Sequence, residues 1–363
     1  MTLLLFLLGG VLLTGGAELL VRGASRLAVA GGISPLVVGL TVVAFGTSAP
    51  ELAVTLGAAY SGEADVALGN VVGSNIANVL LILGLSAVVA PLAVSQRLVR
   101  LEVPLVIGVS VLVLVLALDG RVGRLDGLLL VAGLVVYLVY AVRQSRRQRA
   151  EEQAAAQDAL VDLGLADTRR RRGEWVLDAG SVVVGLGLLV LGADWLVDGA
   201  VAAAAALGVS ELVIGLTIVA VGTSLPELAT SVLASIRGER DIAVGNAVGS
   251  NLFNLLAVLG LGGALAPAGV AVPRAAVTFD LPVMIAVAVA CLPIFFTGHR
   301  IARGEGVLFL GYYAAYTLYL VLAAAEHDAL PAFSRALGWF ALPLTAVTLA
   351  VLVWRAARGG GGR

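Results

Sequence analysis

Residues 39–84 and 215–260 carry nearly the same text at a constant spacing of 176, with no gap and 27 identities in 46 positions. The first copy reads GLTVVAFGTSAPELAVTLGAAYSGEADVALGNVVGSNIANVLLILG, and the second reads GLTIVAVGTSLPELATSVLASIRGERDIAVGNAVGSNLFNLLAVLG. Each keeps one glutamate, Glu51 or Glu227, inside an otherwise strongly apolar stretch. An ionisable side chain at membrane depth is costly and as a rule functional. A duplicated one points to a single site built from two halves.

Membrane depth is the right frame because the chain is 60% hydrophobic and only 13% charged, with a mean hydropathy of +1.03. Soluble domains run at about 25% charged residues. The net charge of −1 carries no information about partners, and no nucleic-acid partner is implied. The one cysteine, Cys291, excludes an intrachain disulfide and a multi-thiolate metal site, and reads as a packing residue. The N-terminus is apolar from Leu3 without a basic leader, which reads as a first membrane helix and not as a cleaved signal peptide.

A crossing helix needs about 20 apolar residues. Eleven spans meet that requirement: 2–21, 33–58, 66–90, 101–118, 127–143, 175–206, 211–236, 242–266, 277–297, 305–325 and 336–354. All 23 basic residues are arginine. With 144–174 placed in the cytoplasm, 19 of them fall on the cytoplasmic side and only Arg121, Arg124, Arg274 and Arg335 on the other. The positive-inside rule then puts the N-terminus outside and the C-terminus in the cytoplasm. The chain is expected in the cell membrane.

Five spans separate the two copies, so the second enters from the opposite side, the inverted-repeat plan of many secondary transporters. The duplication reaches beyond the long motif. Gly16-Ala17-Glu18 matches Gly192-Ala193-Asp194 at the same spacing, and Glu102-Val103-Pro104 matches Asp280-Leu281-Pro282 at 178. The expected architecture is an all-α polytopic membrane protein with two inverted five-helix repeats, ten spans, and one extra C-terminal span. The repeats occupy 1–143 and 175–325, a charged cytoplasmic loop fills 144–174, and 326–363 holds the extra helix and a disordered Gly-rich tail. The loop reads as a solvated linker with basic flanks; an anionic-lipid contact is the sharper alternative.

The chemistry lies in two short motifs. Gly46-Thr47-Ser48-Ala49-Pro50-Glu51 recurs as Gly222-Thr223-Ser224-Leu225-Pro226-Glu227. Proline lacks an N–H and clashes with the preceding turn, which frees carbonyls there, and broken helix at membrane depth is tolerated where it lines a cavity. Thr47, Ser48 and Glu51 stand three or four apart and share a helix face. Two readings stand for Thr47, Ser48, Thr223 and Ser224: ion ligands, or hydroxyls bonded back to their own helix. The glutamates are different, because a buried unpaired carboxylate is costly and no mid-span arginine is available to pair with either.

The following helix reads Gly69-Asn70-x-x-Gly73-Ser74-Asn75-x-x-Asn78, repeated as Gly245-Asn246-x-x-Gly249-Ser250-Asn251-x-x-Asn254. Each Gly-x-x-x-Gly is a surface for close helix packing. Asn70, Ser74 and Asn78 form a polar stripe of neutral oxygen donors, which could equally serve hydrogen bonding between helices. Asn75 and Asn251 lie off the stripe and read as structural. His299 and His327 sit outside the repeats. The pooled ligand set is hard oxygen, which disfavours zinc and copper, suits Ca²⁺ and fits Mg²⁺ less well.

On these two motifs the chain resembles the calcium/cation antiporter superfamily, and within it the prokaryotic sodium/calcium exchanger branch. The proton/calcium branch has G-N-x-x-E where this chain has G-T-S-x-P-E. The resemblance covers the first ten spans. It implies antiport of Ca²⁺ against Na⁺ by alternating access, with both ions as substrates and no cofactor. It implies a site between helices 2, 3, 7 and 8 centred on Glu51 and Glu227. Oxygens would come from Thr47, Ser48, Thr223, Ser224, Ser74 and Ser250 and from the carbonyls of Ala44 and Ala220; the polar stripe adds the amides of Asn78 and Asn254 as candidates. It also implies that helices 1 and 6 slide against the rest. Two features depart from the family: Asn254 stands where well-studied exchangers carry an aspartate, and ten helices are usual. A cation/proton antiporter on the same scaffold is the alternative. An intramembrane hydrolase lacks a nucleophile beside a base, and inverted broken helices fit alternating access better than a channel.

Overall fold

The structure is a computed structural model that describes residues 2–30, 33–161, 174–208, 214, 217–218, 220–296, 298–343, 345–347 and 350. Its helices are α1 (Thr2–Ala30), α2 (Pro35–Thr47), α3 (Ala49–Ser61), α4 (Asp65–Val89), α5 (Leu98–Asp119) and α6 (Arg124–Val161), followed by α7 (Glu174–Ala206), α8 (Leu225–Arg237), α9 (Arg240–Leu265), α10 (Ala276–Phe296), α11 (Arg303–Ala324) and α12 (Leu330–Ala336). Eight helices among the described residues are long and apolar enough to cross a membrane, and α2 with α3 passes as one span bent by 45°.

Nine of the eleven spans read from the sequence thus have a counterpart. The span 211–236 begins outside the described residues and emerges as the turn Ala220–Gly222 followed by α8. The span 336–354 continues from α12 as a π-helical turn, Leu337–Ala341, and its end lies outside the described residues, as does the Gly-rich tail. The loop expected at 144–174 is helix as far as Val161, since α6 runs on without a break. Residues 144–161 contain no glycine or proline and are rich in Arg, Gln, Glu and Ala, all strong helix formers. Residues 162–173 lie outside the description.

The two repeats are laced into one another. Strand β1 (Leu92–Ala93) pairs antiparallel with β4 (Arg300–Ile301), and β2 (Arg121–Val122) with β3 (Val270–Ala271). Each two-residue strand of one repeat therefore finds its partner in the other. Helices α1 and α7, equivalent at the spacing of 176, pack antiparallel along a glycine seam. A Cβ placed on Gly16 would lie 2.7 Å from Gly185 O, and one on Gly192 would lie 2.5 Å from Leu13 N. Backbones this close gain dispersion contacts that lipid cannot match, as at other small-residue membrane interfaces. Gly192→Val should force the helices apart, cost about 1–3 kcal/mol as an overpacked contact, and lower the Tm of the purified protein by several degrees; an unchanged Tm would show the seam to be pliable.

Helix α9 is buried throughout its apolar window and forms the centre of the bundle with α4. Of the two Gly-x-x-x-Gly surfaces, that on α9 shows the expected close packing among the described residues. Cβ atoms on Gly245 and Gly249 would lie 2.8 Å from Leu36 O and 2.7 Å from Leu40 O of α2. A Cβ on Gly69 or Gly73 would meet no described atom within 4 Å beyond the helix's own backbone. The segment equivalent to that face of α2, 212–216, falls outside the described residues except for Ile214.

Candidate functional site

Both G-T-S-x-P-E motifs sit at a helix break. Ser48 (φ −81°, ψ 8°) and Ser224 (φ −89°, ψ 6°) leave helical geometry, and α3 and α8 restart with proline in their first turn. Proline is tolerated there because the first N–H groups of a helix have no partner in any case. Glu51 and Glu227 occupy the third position of the restarted helices, where the positive end of the helix dipole favours a carboxylate. Both are fully buried.

The sequence S-x-x-E would ordinarily close a reciprocal cap within one helix. Neither serine makes a side-chain cap here. Each turns instead to the other repeat. Ser48 Oγ donates to Glu227 Oε1 at 3.1 Å, and Ser224 Oγ donates to Glu51 Oε1 at 3.2 Å. The threonines cross in the same way: Thr47 Oγ1 donates to Asn246 Oδ1 at 3.1 Å, and Thr223 Oγ1 to Asn70 Oδ1 at 3.4 Å. The sequence offered two readings for these hydroxyls, ion ligands or groups bonded back to their own helix; their bonds run mainly to the other repeat. They join the halves, although Thr47 also reaches back to Ala44 O at 3.4 Å.

The asparagines of α4 and α9 brace the breaks. Asn70 Nδ2 donates to Glu51 O (3.0 Å) and to Thr55 Oγ1 (2.9 Å); Asn246 Nδ2 donates to Glu227 O (3.2 Å) and to Ser231 Oγ (2.9 Å). Thr55 and Ser231 were missed in the sequence. Their signal was available, since each stands four residues after a glutamate, on the same helix face. At Asn78 and Asn254 the helices widen into π-helical turns, Asn78–Leu83 and Asn254–Val258. Such turns cluster at functional sites.

The remaining expected residues are not equivalent across the repeats. Ser250 Oγ donates to Glu227 Oε1 at 3.4 Å, whereas Ser74 is buried but makes no corresponding bond to Glu51 among the described residues. Asn251, read as structural, accepts from Asn78 Nδ2 at 2.9 Å and so fixes which way the Asn78 amide faces. Ala44 O already accepts the Ser48 N–H at 3.0 Å, which makes it the weakest-placed of the expected oxygens. Ala220 lies in the turn before Thr223, where the Ser224 N–H bonds to Val221 O at 3.1 Å.

Four buried oxygens of this cluster have no protein partner among the described residues: Glu51 Oε2, Glu227 Oε2, Asn78 Oδ1 and Asn254 Oδ1. Unsatisfied buried acceptors are rare and ask for a cause. A third buried carboxylate shows the contrast. Glu102 accepts from Arg97 Nε on one oxygen and from Tyr137 OH on the other, both at 2.9 Å. Glu102 is a satisfied structural ion pair. Glu51 and Glu227 each have one oxygen bonded by serine hydroxyls and one with no partner among the described residues. Carboxylate and amide oxygens in this number suit a hard ion.

The sequence profile of the family described as sodium/calcium exchanger protein matches residues 1–143 and 178–322. The putative antiporter CaxA of Alkalimonas amylolytica is 40% identical over 313 residues, covering 85% of this chain and 95% of its own. The sodium/calcium exchanger MaX1 of Methanosarcina acetivorans is 34% identical over 343 residues, covering 87% and 97%. A solved structure of the sodium-calcium exchanger NCX_Mj, soaked with 10 mM Na⁺ and no Ca²⁺, superposes with a TM-score of 0.72 at 30% identity, over 89% of this chain and 99% of that one. With two inward-turned carboxylates crossed between duplicated broken helices, and a family match over nearly all of both halves, the chain belongs to the sodium/calcium exchanger family, whose members are membrane cation transporters and not enzymes.

Proposed function

We propose that the protein exchanges Ca²⁺ for Na⁺ across the cell membrane by alternating access, with Glu51 and Glu227 as the central ligands. The observation that carries this reading is the crossed arrangement itself. Each carboxylate is held by a serine of the opposite repeat. Any relative movement of the repeats therefore reshapes the whole site at once. Two carboxylates neutralise one Ca²⁺ or two Na⁺, so the two ions compete for the same oxygens. Thr47, Ser48, Thr223, Ser224, Ser250, Asn78 and Asn254 supply the neutral oxygens around them, with Ser74 and the carbonyls of Ala44 and Ala220 at the margin. Na⁺ coupling is supported by relatives that carry sodium/calcium exchange in their names.

Radioactive Ca²⁺ uptake into proteoliposomes tests it. Uptake should require Na⁺ inside and none outside, and should stop when the Na⁺ gradient is removed. Uptake that follows a proton gradient in Na⁺-free vesicles would overturn the choice of coupling ion. The orientation, N-terminus outside and C-terminus cytoplasmic, rests on the arginine distribution. In a Cys291→Ser background, a cysteine at Gln157 and another after Arg358 should react with impermeant reagents only from the cytoplasmic side. Labelling of the second from outside would show that 336–354 does not cross.

A further inference from the structure

Two halves related by an inverted duplication have no built-in preference for opening to one face or the other. Any bias must come from positions where the copies differ. The seam between α1 and α8 is such a place. Glu18 of α1 is paired with Arg22 one turn further along and with Arg237 at the end of α8. Arg237 Nε donates to Glu18 Oε2 at 3.0 Å, and its Nη2 lies 2.6 Å from Oε1. Beside this pair Ser25 Oγ donates to Glu239 Oε1 at 2.8 Å, and Arg26 approaches Asp178 of α7 at 3.6 Å. Charges of both signs thus alternate across this end of the seam.

The spacing of 176 carries the same positions to the opposite face with different chemistry. Asp194 replaces Glu18, Asp198 replaces Arg22, Ser61 replaces Arg237, Val201 replaces Ser25, and Glu63 replaces Glu239. Closing that face would bring Asp194 and Asp198 toward Glu63 with no arginine among them. Asp194, Asp198, Ser61 and Glu63 make no ion pair or side-chain hydrogen bond among the described residues. Because α1 and α7 are locked backbone to backbone by the glycine seam, a tie on α1 restrains both.

We propose that the Glu18–Arg237 pair, extended by Arg22 and by Ser25 with Glu239, is an ionic latch that holds the arginine-rich face closed, and that its absence from the other face biases the resting protein to open there. The proposal rests on the exchange reading above, whose orientation makes the latched face cytoplasmic. The latch is partly solvated: Glu18 is 22% and Arg237 49% exposed in their side chains. It is therefore a bias and not a lock, and its loss should change the ratio of the two states by about two- to fivefold.

The test measures distance and needs no transported ion. Spin labels are placed in the Cys291→Ser protein in lipid nanodiscs, as one pair at Ala30 and Ile236, and as the equivalent pair at Ala206 and Tyr60. The parent should give a short distance at the first pair and a long one at the second. Glu18→Gln and Arg237→Gln should each lengthen the first distance in about two- to fivefold more molecules, and the double variant should add little, as expected of partners in one interaction. Ser61→Arg, at an exposed position, should supply the missing cation beside Asp194 and Asp198 and shorten the second distance. Parent distributions in all of these variants would overturn the latch. So would additive effects of Glu18→Gln and Arg237→Gln. A protein that keeps these distance changes but shows no Na⁺-driven Ca²⁺ uptake would refute the exchange reading alone, and active exchange with unmoved distances would refute only the latch.

Discussion

Glu51→Gln and Glu227→Gln should each reduce Na⁺-dependent Ca²⁺ uptake by at least about a hundredfold while the protein remains folded. The expectation follows from the contrast between three buried carboxylates. Glu102 has a partner for each oxygen, one of them the Arg97 guanidinium. Glu51 and Glu227 each have a serine hydroxyl on one oxygen and no partner on the other. Removing the charge from one member of a buried ionic contact costs about 3–5 kcal/mol, which is two orders of magnitude or more in affinity. The amide of glutamine still accepts the serine proton, so the contact between repeats survives. The two variants should fail to similar extents, because each glutamate belongs to one half of a crossed pair. Uptake at the parent rate in a monodisperse double variant would remove the proposed site.

The crossed pair also shows how far the sequence could be read. An exact spacing with an odd number of spans between copies implied an inverted repeat whose two halves build one site. The four hydroxyls at 47, 48, 223 and 224 each bond to a residue of the other repeat. Helix periodicity placed Asn70, Ser74 and Asn78 on one stripe, and Asn70 and Asn78 both bond across helices. Periodicity gives a face and not a partner, so it could not show that Asn70 holds the carbonyl of Glu51, or that Asn251, off the stripe, orients Asn78. It also could not show where near-identical copies part company. Ser250 reaches its glutamate while Ser74 does not. A transporter must hold its halves in different arrangements at any moment, and a repeated motif records only what they share. The helical run through 144–161 was missed for a simpler reason. Charge was read as loop, although the same residues favour helix when no glycine or proline interrupts them.

Asn246→Ala should be nearly as damaging as loss of a glutamate, without removing any charge. Asn246 is fully buried and ties three segments together. It donates to Glu227 O at 3.2 Å and to Ser231 Oγ at 2.9 Å, and it accepts from Thr47 of the other repeat at 3.1 Å. Alanine would take one bond each from a carbonyl and two hydroxyls in a place water does not reach, leaving Thr47 only Ala44 O, at about 1–3 kcal/mol for each group left unsatisfied. The carbonyl belongs to Glu227, so the carboxylate loses its backbone anchor, and a shift of about 1 Å in a ligand is enough to cost two orders of magnitude in a rate. Exchange should therefore fall at least tenfold and the Tm by several degrees. Asn70→Ala removes the equivalent contacts at Glu51 O and Thr55 Oγ1, but Asn70 is only half-buried and its bond from Thr223 is long, at 3.4 Å. Water can replace part of what is lost there, so its Tm should fall less. Thermal unfolding and Ca²⁺ uptake measured side by side decide the matter. Equal Tm losses in the two variants, or parent-rate exchange in Asn246→Ala, would show that the asparagines do not set the position of the glutamates.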